Sequence, residues 1–403
     1  MLELGQLIGH LDNLSRELAR GRDIRADQLT TALAQANMPA ADWESQARRI
    51  NKMHTPFLIA EPLYTAEPVA SAFDPAPAPD LYTVVATDGS QIPLDRHQAA
   101  PYYVINVGLV TIHYGTGERT QLASDATLFY READILIGGA NGEQSYVGER
   151  QIGNRRAQFE MQHLTRLVDQ QEQRECTLAL VDGTLILWNQ EAEADTARDE
   201  AVRDMITMLA AAKRCGTFIA GYLSKPGGRE VINTLKLSLC PADVTDTSQC
   251  KLESHRCEAL NRLTDSSLFA ALLAPGQRST VFASRSKILD EYRKKAIDAK
   301  YDDPDDYKIG FYYLNTGKEI ARVELPLWLA KNPDTVAATH SLVLDQATKG
   351  HGYPVALLEA HEQAIVRGPE RAAFQELVDR AFVRNGLPVT TSRKALAKQT
   401  RIL

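Results

Sequence analysis

Two aspartates follow two apolar, β-branched stretches of the sequence. The segment Asp88-Gly89-Ser90 follows the stretch 82–87, and the segment Asp182-Gly183-Thr184 follows the stretch 177–181. Each stretch is too short for a helix and is typical of a buried strand that ends in a tight turn at its glycine. Asp-Gly turns are common after strands, so either segment alone indicates only a turn. The repetition predicts that two neighbouring strands deliver their acids to one shared site.

The chemistry of such a site follows from its charge. Clustered carboxylates are tolerated at the edge of a sheet only if a cation neutralises them. Hard oxygen ligands favour Mg²⁺ or Mn²⁺. These ions activate water and stabilise the leaving oxygen of a phosphodiester. The two aspartates therefore indicate metal-dependent phosphodiester hydrolysis.

A third carboxylate is expected from a helix packed across the sheet. The apolar stripe over 150–174 predicts a helix directly before the second strand, and Glu160 lies within it. Glu149 and Glu172 compete for the same role. A solvated helix face is the simpler explanation of any one of them.

A histidine lies on a second predicted helix. Gly352-Tyr353-Pro354 precedes the helix expected to about residue 365, and proline suits the first position of a helix. His361 follows Pro354 by seven residues, about two turns, and so shares a face with the helix start. A lone histidine is more often structural than a ligand, and its distance from Asp88 cannot be inferred from spacing.

Basic residues offer a path for the phosphates of a substrate. Lys287 stands out because it follows a short predicted strand, and Arg285 lies beside it, although Asp290 and Glu291 dilute the positive charge. The group comprises Arg278, Arg285, Lys287, Arg293, Lys294 and Lys295.

The elements that must position these residues form a mixed α/β pattern. Residues 1–73 are predicted to be a helical N-terminal extension with one helix from Leu2 and a second over 27–36, and residues 74–80 a stiff Pro/Ala linker. Strands over 82–87, 102–114, 120–123 and 126–130 predict an antiparallel meander before the helix that carries Glu160. Further strands are expected at 218–225, at 280–282 and as a hairpin over 309–325, and helices at 192–215, 230–239 and 254–273.

A meander followed by alternating helices and strands predicts a ribonuclease-H-like mixed sheet flanked by helices. We expect this domain to span residues 81–370, with a helical insert over about 225–275. A helical and basic tail is expected over 371–403.

Composition limits the class of protein. The chain has 403 residues, 44% hydrophobic and 24% charged, with a net charge of −7. The acidic total argues against a wholly basic nucleic-acid-coating surface but does not exclude a local groove. The absence of a long apolar run predicts no membrane span and a cytoplasmic location. Five scattered cysteines predict reduced thiols, and Cys250, His255 and Cys257 lack the spacing of a structural zinc site.

The sequence resembles the NurA nuclease family over roughly residues 80–370. The resemblance rests on four segments in order, namely Asp88-Gly89-Ser90, Asp182-Gly183-Thr184, Ser286-Lys287 and the block from Gly352-Tyr353-Pro354 to His361. It implies Mn²⁺-dependent cleavage of DNA from the 5′ end, endonuclease activity on single strands, a homodimer and a HerA-type hexameric ATPase partner in end resection. Thr184 stands where serine is frequent in the family, and the hydroxyl is retained.

The resemblance also assigns roles to residues. Asp88 and Asp182 match the metal-binding acids, and Tyr353 and His361 match the tyrosine and histidine of the last block. Our hypothesis places two ions, Mn²⁺ or Mg²⁺, with Asp88 bridging them and the side chains of Glu160, Asp182 and His361 as further ligands. In this hypothesis Lys287 and Tyr353 contact phosphate or orient water, and the DNA-binding set is Ser90, Arg285, Lys287 and Tyr353.

Two alternatives remain open at this stage. The first is a non-catalytic clamp or docking subunit that feeds DNA to an ATPase. The second is phosphomonoester hydrolysis by an aspartyl nucleophile. Ser90 stands two residues after Asp88, where that chemistry needs a second acid, which counts against the second alternative.

Overall fold

The computed structural model describes residues 4–94, 100–138, 144–171, 176–188, 195–241, 243–248, 258 and 260–387. Within them the chain forms two compact units. Unit 1 comprises Met1–Ala78, Gly183–Trp188 and Ala220–Pro354, and unit 2 comprises Pro79–Asp182, Asn189–Ile219 and Val355–Leu403. In the described part of the chain, no helix is both long and apolar enough to cross a membrane.

The strands are β1 (Ala60–Pro62), β2 (Ala72–Phe73), β3 (Tyr82–Ile92), β4 (Tyr103–Tyr114), β5 (Gln121–Phe129), β6 (Leu136–Gly138), β7 (Gln144–Tyr146), β8 (Thr177–Asp182), β9 (Phe218–Leu223), β10 (Arg278–Ser279), β11 (Phe282–Ser284), β12 (Ile309–Asn315) and β13 (Ile320–Pro326). The helices are α1 (Leu4–Ala36), α2 (Ala40–Asn51), α3 (Glu132–Ile135), α4 (Glu149–Asp169), α5 (Asp195–Arg214), α6 (Glu230–Ser238), α7 (Asp265–Leu272), α8 (Ile288–Asp298), α9 (Leu327–Ala330), α10 (Pro333–Lys349), α11 (Val355–Ala364) and α12 (Gly368–Arg384).

The sheet of unit 2 begins with the predicted meander. β3 pairs antiparallel with β4, and β4 pairs antiparallel with β5. β8 then pairs parallel with β3, from Thr83 opposite Thr177 to Thr87 opposite Val181. A parallel return requires a crossover, and α4 lies within it. A meander, a helix and a strand parallel to the first confirm the mixed, ribonuclease-H-like sheet flanked by helices.

Two helices contact opposite faces of β3. The Thr87 hydroxyl donates to the carbonyl of Glu160 on α4 over 3.1 Å, whereas the Ser90 hydroxyl donates to the carbonyl of Ala364 on α11. Alternate residues of a strand point to opposite faces, so Thr87 and Gly89 face α4 while Asp88 and Ser90 face α11.

The turn predicted at Gly89 is wrong. β3 continues to Ile92 because β4 supplies a pairing partner along its whole length, with Asp88 opposite Gly108 and Gly89 opposite Val107. The two short strands predicted over 120–130 are likewise one strand, β5, that pairs continuously with β4.

Unit 1 contains the predicted hairpin, β12 with β13, which pair from Ile309 opposite Pro326 to Asn315 opposite Ile320. β13 also pairs with β9, and β12 pairs with β11. The aromatic residues of its core cluster are Trp43, Phe269, Phe282, Phe311 and Tyr313.

The helices of unit 1 differ in part from the prediction. The two helices expected before residue 37 form one 33-residue helix, α1. The helix expected over 254–273 is described only as α7. No helix was expected at α8 or α10, and in unit 2 α12 falls on the start of the tail that was predicted to be helical. The predicted basic tail from Thr390 and the Cys250, His255 and Cys257 group lie outside the described residues.

A buried ion network lies in unit 1. Arg322 Nε donates to Glu324 Oε1 over 2.8 Å, and Arg322 Nη1 donates to Glu230 Oε1. Glu324 Oε2 accepts from the Thr184 hydroxyl over 2.8 Å and from the Leu185 amide over 2.7 Å. The Thr184 hydroxyl of the Asp182-Gly183-Thr184 segment therefore belongs to the buried ion network of unit 1.

Candidate active site

The strand pairing brings Asp88 and Asp182 together. Thr87 and Val181 form the last aligned pair of the parallel strands β3 and β8. Asp88 and Asp182 are the next residue on each strand, so both side chains leave the sheet on the same side. The prediction that the two aspartate strands are neighbours is confirmed.

Glu160 reaches the end of β3 from α4 because of a glycine. A Cβ atom on Gly89 would lie 2.3 Å from Glu160 Oε1 and 2.7 Å from Arg156 Cγ. Any other residue at this position would push the helix or both side chains away. Gly89 is therefore required for the approach of α4 to the strand, and not for a turn; Gly183, with φ of +114°, is the glycine that does adopt the left-handed conformation.

The three carboxylates interact electrostatically. Burial raises the pKa of Glu160 to about 7; Arg156 opposes this rise, and the charges of Asp88 and Asp182 add to it. The charges of both aspartates therefore act on Glu160, although Glu160 lies on a helix and the aspartates lie on strands.

One oxygen of Glu160 has no hydrogen-bond partner. Oε1 is buried and accepts no hydrogen bond from any described residue. Arg156 Nε lies 3.2 Å away, within ion-pair distance, but makes no hydrogen bond to it. A buried carboxylate oxygen in this state has the lone pairs free that a cation requires.

Asp88 also contacts α11. Its Oδ1 accepts from the Gly89 amide over 2.7 Å, and its Oδ2 accepts from His361 Nδ1 over 2.7 Å. An ionised carboxylate only accepts, so Nδ1 of His361 must carry the proton, and Nε2 is left as the other ring nitrogen. The His361 side chain is 55% exposed, so it is open to a ligand.

A second glycine permits this contact. A Cβ on Gly108, which pairs with Asp88, would lie 2.1 Å from the Ala360 carbonyl oxygen and 2.7 Å from the Ala364 nitrogen of α11. Gly108 was not among the predicted site residues. An isolated glycine inside a strand pattern was the available signal for close backbone approach.

Ser90 lies near the site but contacts the helix. Its hydroxyl donates to the Ala364 carbonyl, which also accepts from the Asn106 amide over 2.8 Å. These bonds fasten the end of α11 to β3 and β4. A contact between Ser90 and DNA stays a prediction.

The remaining predicted site residues belong to unit 1. Lys287 is the exposed N-cap residue of α8, and Arg285 is exposed beside it. The Tyr353 ring meets Tyr222 edge-on, with ring centroids 5.3 Å apart. The contributions of Arg285, Lys287 and Tyr353 to a site with the unit 2 acids stay predictions.

The predicted basic path needs one correction. Arg278 is 7% exposed, lies over the Phe73 ring at 4.2 Å and donates to the Ser279 carbonyl, so it cannot present its charge to a substrate. Its aromatic neighbours explain its burial. In addition, Arg293 pairs with Asp305 at 3.3 Å. The other helical glutamates fall elsewhere, since Glu149 begins α4 and Glu172 lies outside the described residues.

The site does not hold a preformed cluster of metal ligands. Among the described residues, no group of three or more His, Cys, Asp or Glu side chains stands ready to hold a metal ion. The side chains of Asp88, Glu160 and Asp182 would have to come closer together to share one.

Three acids from two parallel strands and one crossover helix define a carboxylate site on a ribonuclease-H-like sheet. The family model for the NurA domain matches residues 82–366. The chain therefore belongs to the NurA nuclease family, which confirms the resemblance drawn from the sequence.

Comparisons with individual proteins are more distant. The crystal structure of the NurA nuclease from Sulfolobus solfataricus matches with 12% identity and a TM-score of 0.46, covering 86% of this chain and 92% of that chain. The structure of LC9-RNase H1, a type 1 RNase H with the type 2 active-site motif, has 12% identity and a TM-score of 0.21, with 50% and 90% covered. Curated protein sequences give no significant match.

Proposed function

We propose that the protein is a divalent-metal-dependent nuclease that hydrolyses phosphodiester bonds of DNA at the carboxylates of unit 2. The observation that carries the proposal is Glu160 Oε1, a buried carboxylate oxygen without a hydrogen-bond donor that interacts electrostatically with Asp88 and Asp182. Membership of the NurA family supports a nuclease over other hydrolases.

The residues present fit a divalent cation. Asp88, Glu160 and Asp182 supply hard oxygen donors, and an ion would relieve both the buried oxygen and the mutual repulsion of the acids. We assign these three carboxylates and His361 as the ligands. The chemistry that Mn²⁺ or Mg²⁺ supplies in such a site is polarisation of phosphate oxygens and activation of water.

The protein's own residues orient this site. Asp88 holds the His361 ring beside β3 through a hydrogen bond from Nδ1 over 2.7 Å. Gly89 and Gly108 bring α4 and α11 close enough for their side chains to reach β3. Lys287, Tyr353 and Arg285 are proposed to bind substrate phosphates, because exposed cations neutralise backbone charge.

The finer features rest on the family alone. We propose Mn²⁺ as the preferred ion with two ions bound, cleavage from the 5′ end, and endonuclease activity on single strands. We further propose that the protein is a cytoplasmic homodimer that acts with a HerA-type hexameric ATPase in DNA end resection.

The test is a cleavage assay with end-labelled single- and double-stranded DNA in Mn²⁺, Mg²⁺ or chelator. We expect Asp88→Asn to lower the cleavage rate on the order of a thousandfold or more, since each tenfold corresponds to about 1.4 kcal/mol of transition-state stabilisation. The matched control is Asp169→Asn, which removes an exposed aspartate that pairs with Arg214 at 2.7 Å. This control should cleave at the wild-type rate.

The same assay separates the alternatives. DNA binding without turnover in any of the metals would indicate a docking subunit rather than a nuclease. Undiminished cleavage by Asp88→Asn would refute the assigned site. Release of inorganic phosphate from small phosphate esters would instead favour an aspartyl-phosphate mechanism.

A further inference from the structure

Arg156 is a cation next to the carboxylates that neither the family motifs nor the predicted site includes. It lies one helical turn before Glu160 on α4, and its Nε is 3.2 Å from Glu160 Oε1. Its Cγ and Cδ lie against Gly89, at 2.7 and 3.0 Å from where a Cβ atom would stand. The stem of Arg156 therefore fills the space that the glycine leaves open.

The position of its charge is specific. Glu160 Oε1 is the buried oxygen without a hydrogen bond, and Arg156 Nε is buried and equally without one. The two atoms are held at ion-pair distance by packing and not by a well-aligned hydrogen bond. An interaction of this kind compensates charge yet is easily exchanged for a better partner.

We propose that Arg156 is the built-in counter-cation of the metal-free site and competes with the divalent ion for Glu160. This inference rests on the proposed function. Two cations cannot share one buried carboxylate oxygen without repulsion. Ion binding must therefore displace the guanidinium, whose side chain is 39% exposed and so has solvent to move into. Arg156 acts through Glu160 and is a positioning residue.

The neighbouring arginine provides a matched control. Arg155 also lies on α4 and is similarly exposed, at 36%, but its Nη2 pairs with Asp134 at 3.1 Å and its Nη1 donates to the Tyr103 hydroxyl over 2.9 Å. Replacing either arginine with glutamine removes one positive charge from the same helix. Only Arg156→Gln removes it from the carboxylate site.

The experiment measures Mn²⁺ affinity of the full chain without DNA, by isothermal titration calorimetry and by the loss of the free-ion electron paramagnetic resonance signal. We expect Arg156→Gln to bind Mn²⁺ about three to ten times more tightly than wild type, as for a partly exposed ion pair. Arg155→Gln should match wild type. Equal or weaker binding by Arg156→Gln would overturn the proposal, as would an equal gain in Arg155→Gln.

A double-variant cycle shows whether the effect passes through Glu160. Glu160→Gln should weaken Mn²⁺ binding, and adding Arg156→Gln to it should then change the affinity less than twofold. If the full gain persists in the double variant, Arg156 does not compete for Glu160. If Glu160→Gln alone leaves the affinity unchanged, the proposed ligand set has failed and the inference fails with it.

Discussion

The protein buries carboxylates in two places, which differ in how many of their oxygens accept hydrogen bonds. In unit 1, Glu230 and Glu324 flank Arg322, and each of their four oxygens accepts a hydrogen bond. In unit 2, one buried oxygen of Glu160 accepts no hydrogen bond, although Arg156 Nε lies 3.2 Å away. Both groups have an arginine, so the presence of a counter-charge alone does not distinguish them.

The distinction lies in how completely the hydrogen-bonding capacity is used. Burial alone would lower the pKa of Arg322, but the carboxylates of Glu230 and Glu324 raise it above its ordinary value, and the guanidinium also stacks on Phe311 at 3.6 Å. Only its Nη2 lacks a partner among the described residues. A network so nearly closed has a structural role, whereas an open one leaves capacity for a ligand.

The largest effect is expected from opening the closed network. Arg322→Met should lower the free energy of unfolding by about 3–5 kcal/mol, because it leaves the Glu230 and Glu324 charges buried without a cation. Arg156→Met should cost only about 1 kcal/mol or less, since its ion pair is partly exposed. Urea denaturation at neutral pH, followed by circular dichroism, measures both. Equal losses in the two variants would remove the distinction between the networks.

The next effect is a pH dependence that belongs to Glu160. Its pKa is about 7 in the folded protein and near 4.5 when exposed, so the folded state binds more protons between these values. Stability should therefore fall as pH rises through this window, by roughly 2–3 kcal/mol from pH 5 to pH 8 for this group. In chelator, wild type should lose that amount relative to Glu160→Gln, as measured by urea denaturation at each pH.

The control for this prediction is the metal. Adding Mn²⁺ should restore wild-type stability at pH 8, because the ion binds the ionised carboxylates of the folded state only. A wild-type curve that runs parallel to the Glu160→Gln curve at every pH would show that Glu160 is not desolvated, and the contrast with unit 1 would lose its basis.

The two aspartates could be predicted from the sequence because the strands before them have a recognisable local composition. The β-branched stretches before Asp88 and Asp182 predict strands from their own composition, and the same holds for the two strands of the β12 and β13 hairpin. The closeness of the two strands depended on fold class, which the meander and crossover helix were enough to predict.

The rest depended on partners far along the chain. β3 continues past Gly89 because β4 continues to pair with it. The sequence of residues 82–92 alone does not indicate this pairing. The burial of Arg278 is decided by Phe73, about 200 positions earlier. Arg156 has no motif at all, because its importance arises only where α4 meets Gly89.

The smallest effect is expected from substitutions at two glycines, which test the close approach of α4 to Gly89 on β3. Gly89→Ala places a methyl group 2.3 Å from Glu160 Oε1, so we expect a loss of about 1–3 kcal/mol in unfolding free energy from overpacking, together with reduced cleavage and weaker Mn²⁺ binding. Gly153→Ala is the matched control on α4, because a Cβ there meets nothing within 4 Å and alanine favours the helix by up to about 1 kcal/mol. Urea denaturation should therefore show Gly89→Ala to be less stable than wild type and Gly153→Ala to be more stable. The cleavage assay should show reduced activity for Gly89→Ala only. If Gly89→Ala were as stable and active as wild type, α4 would have room to retreat, and the unpaired oxygen of Glu160 would no longer be held at the strand by the backbone.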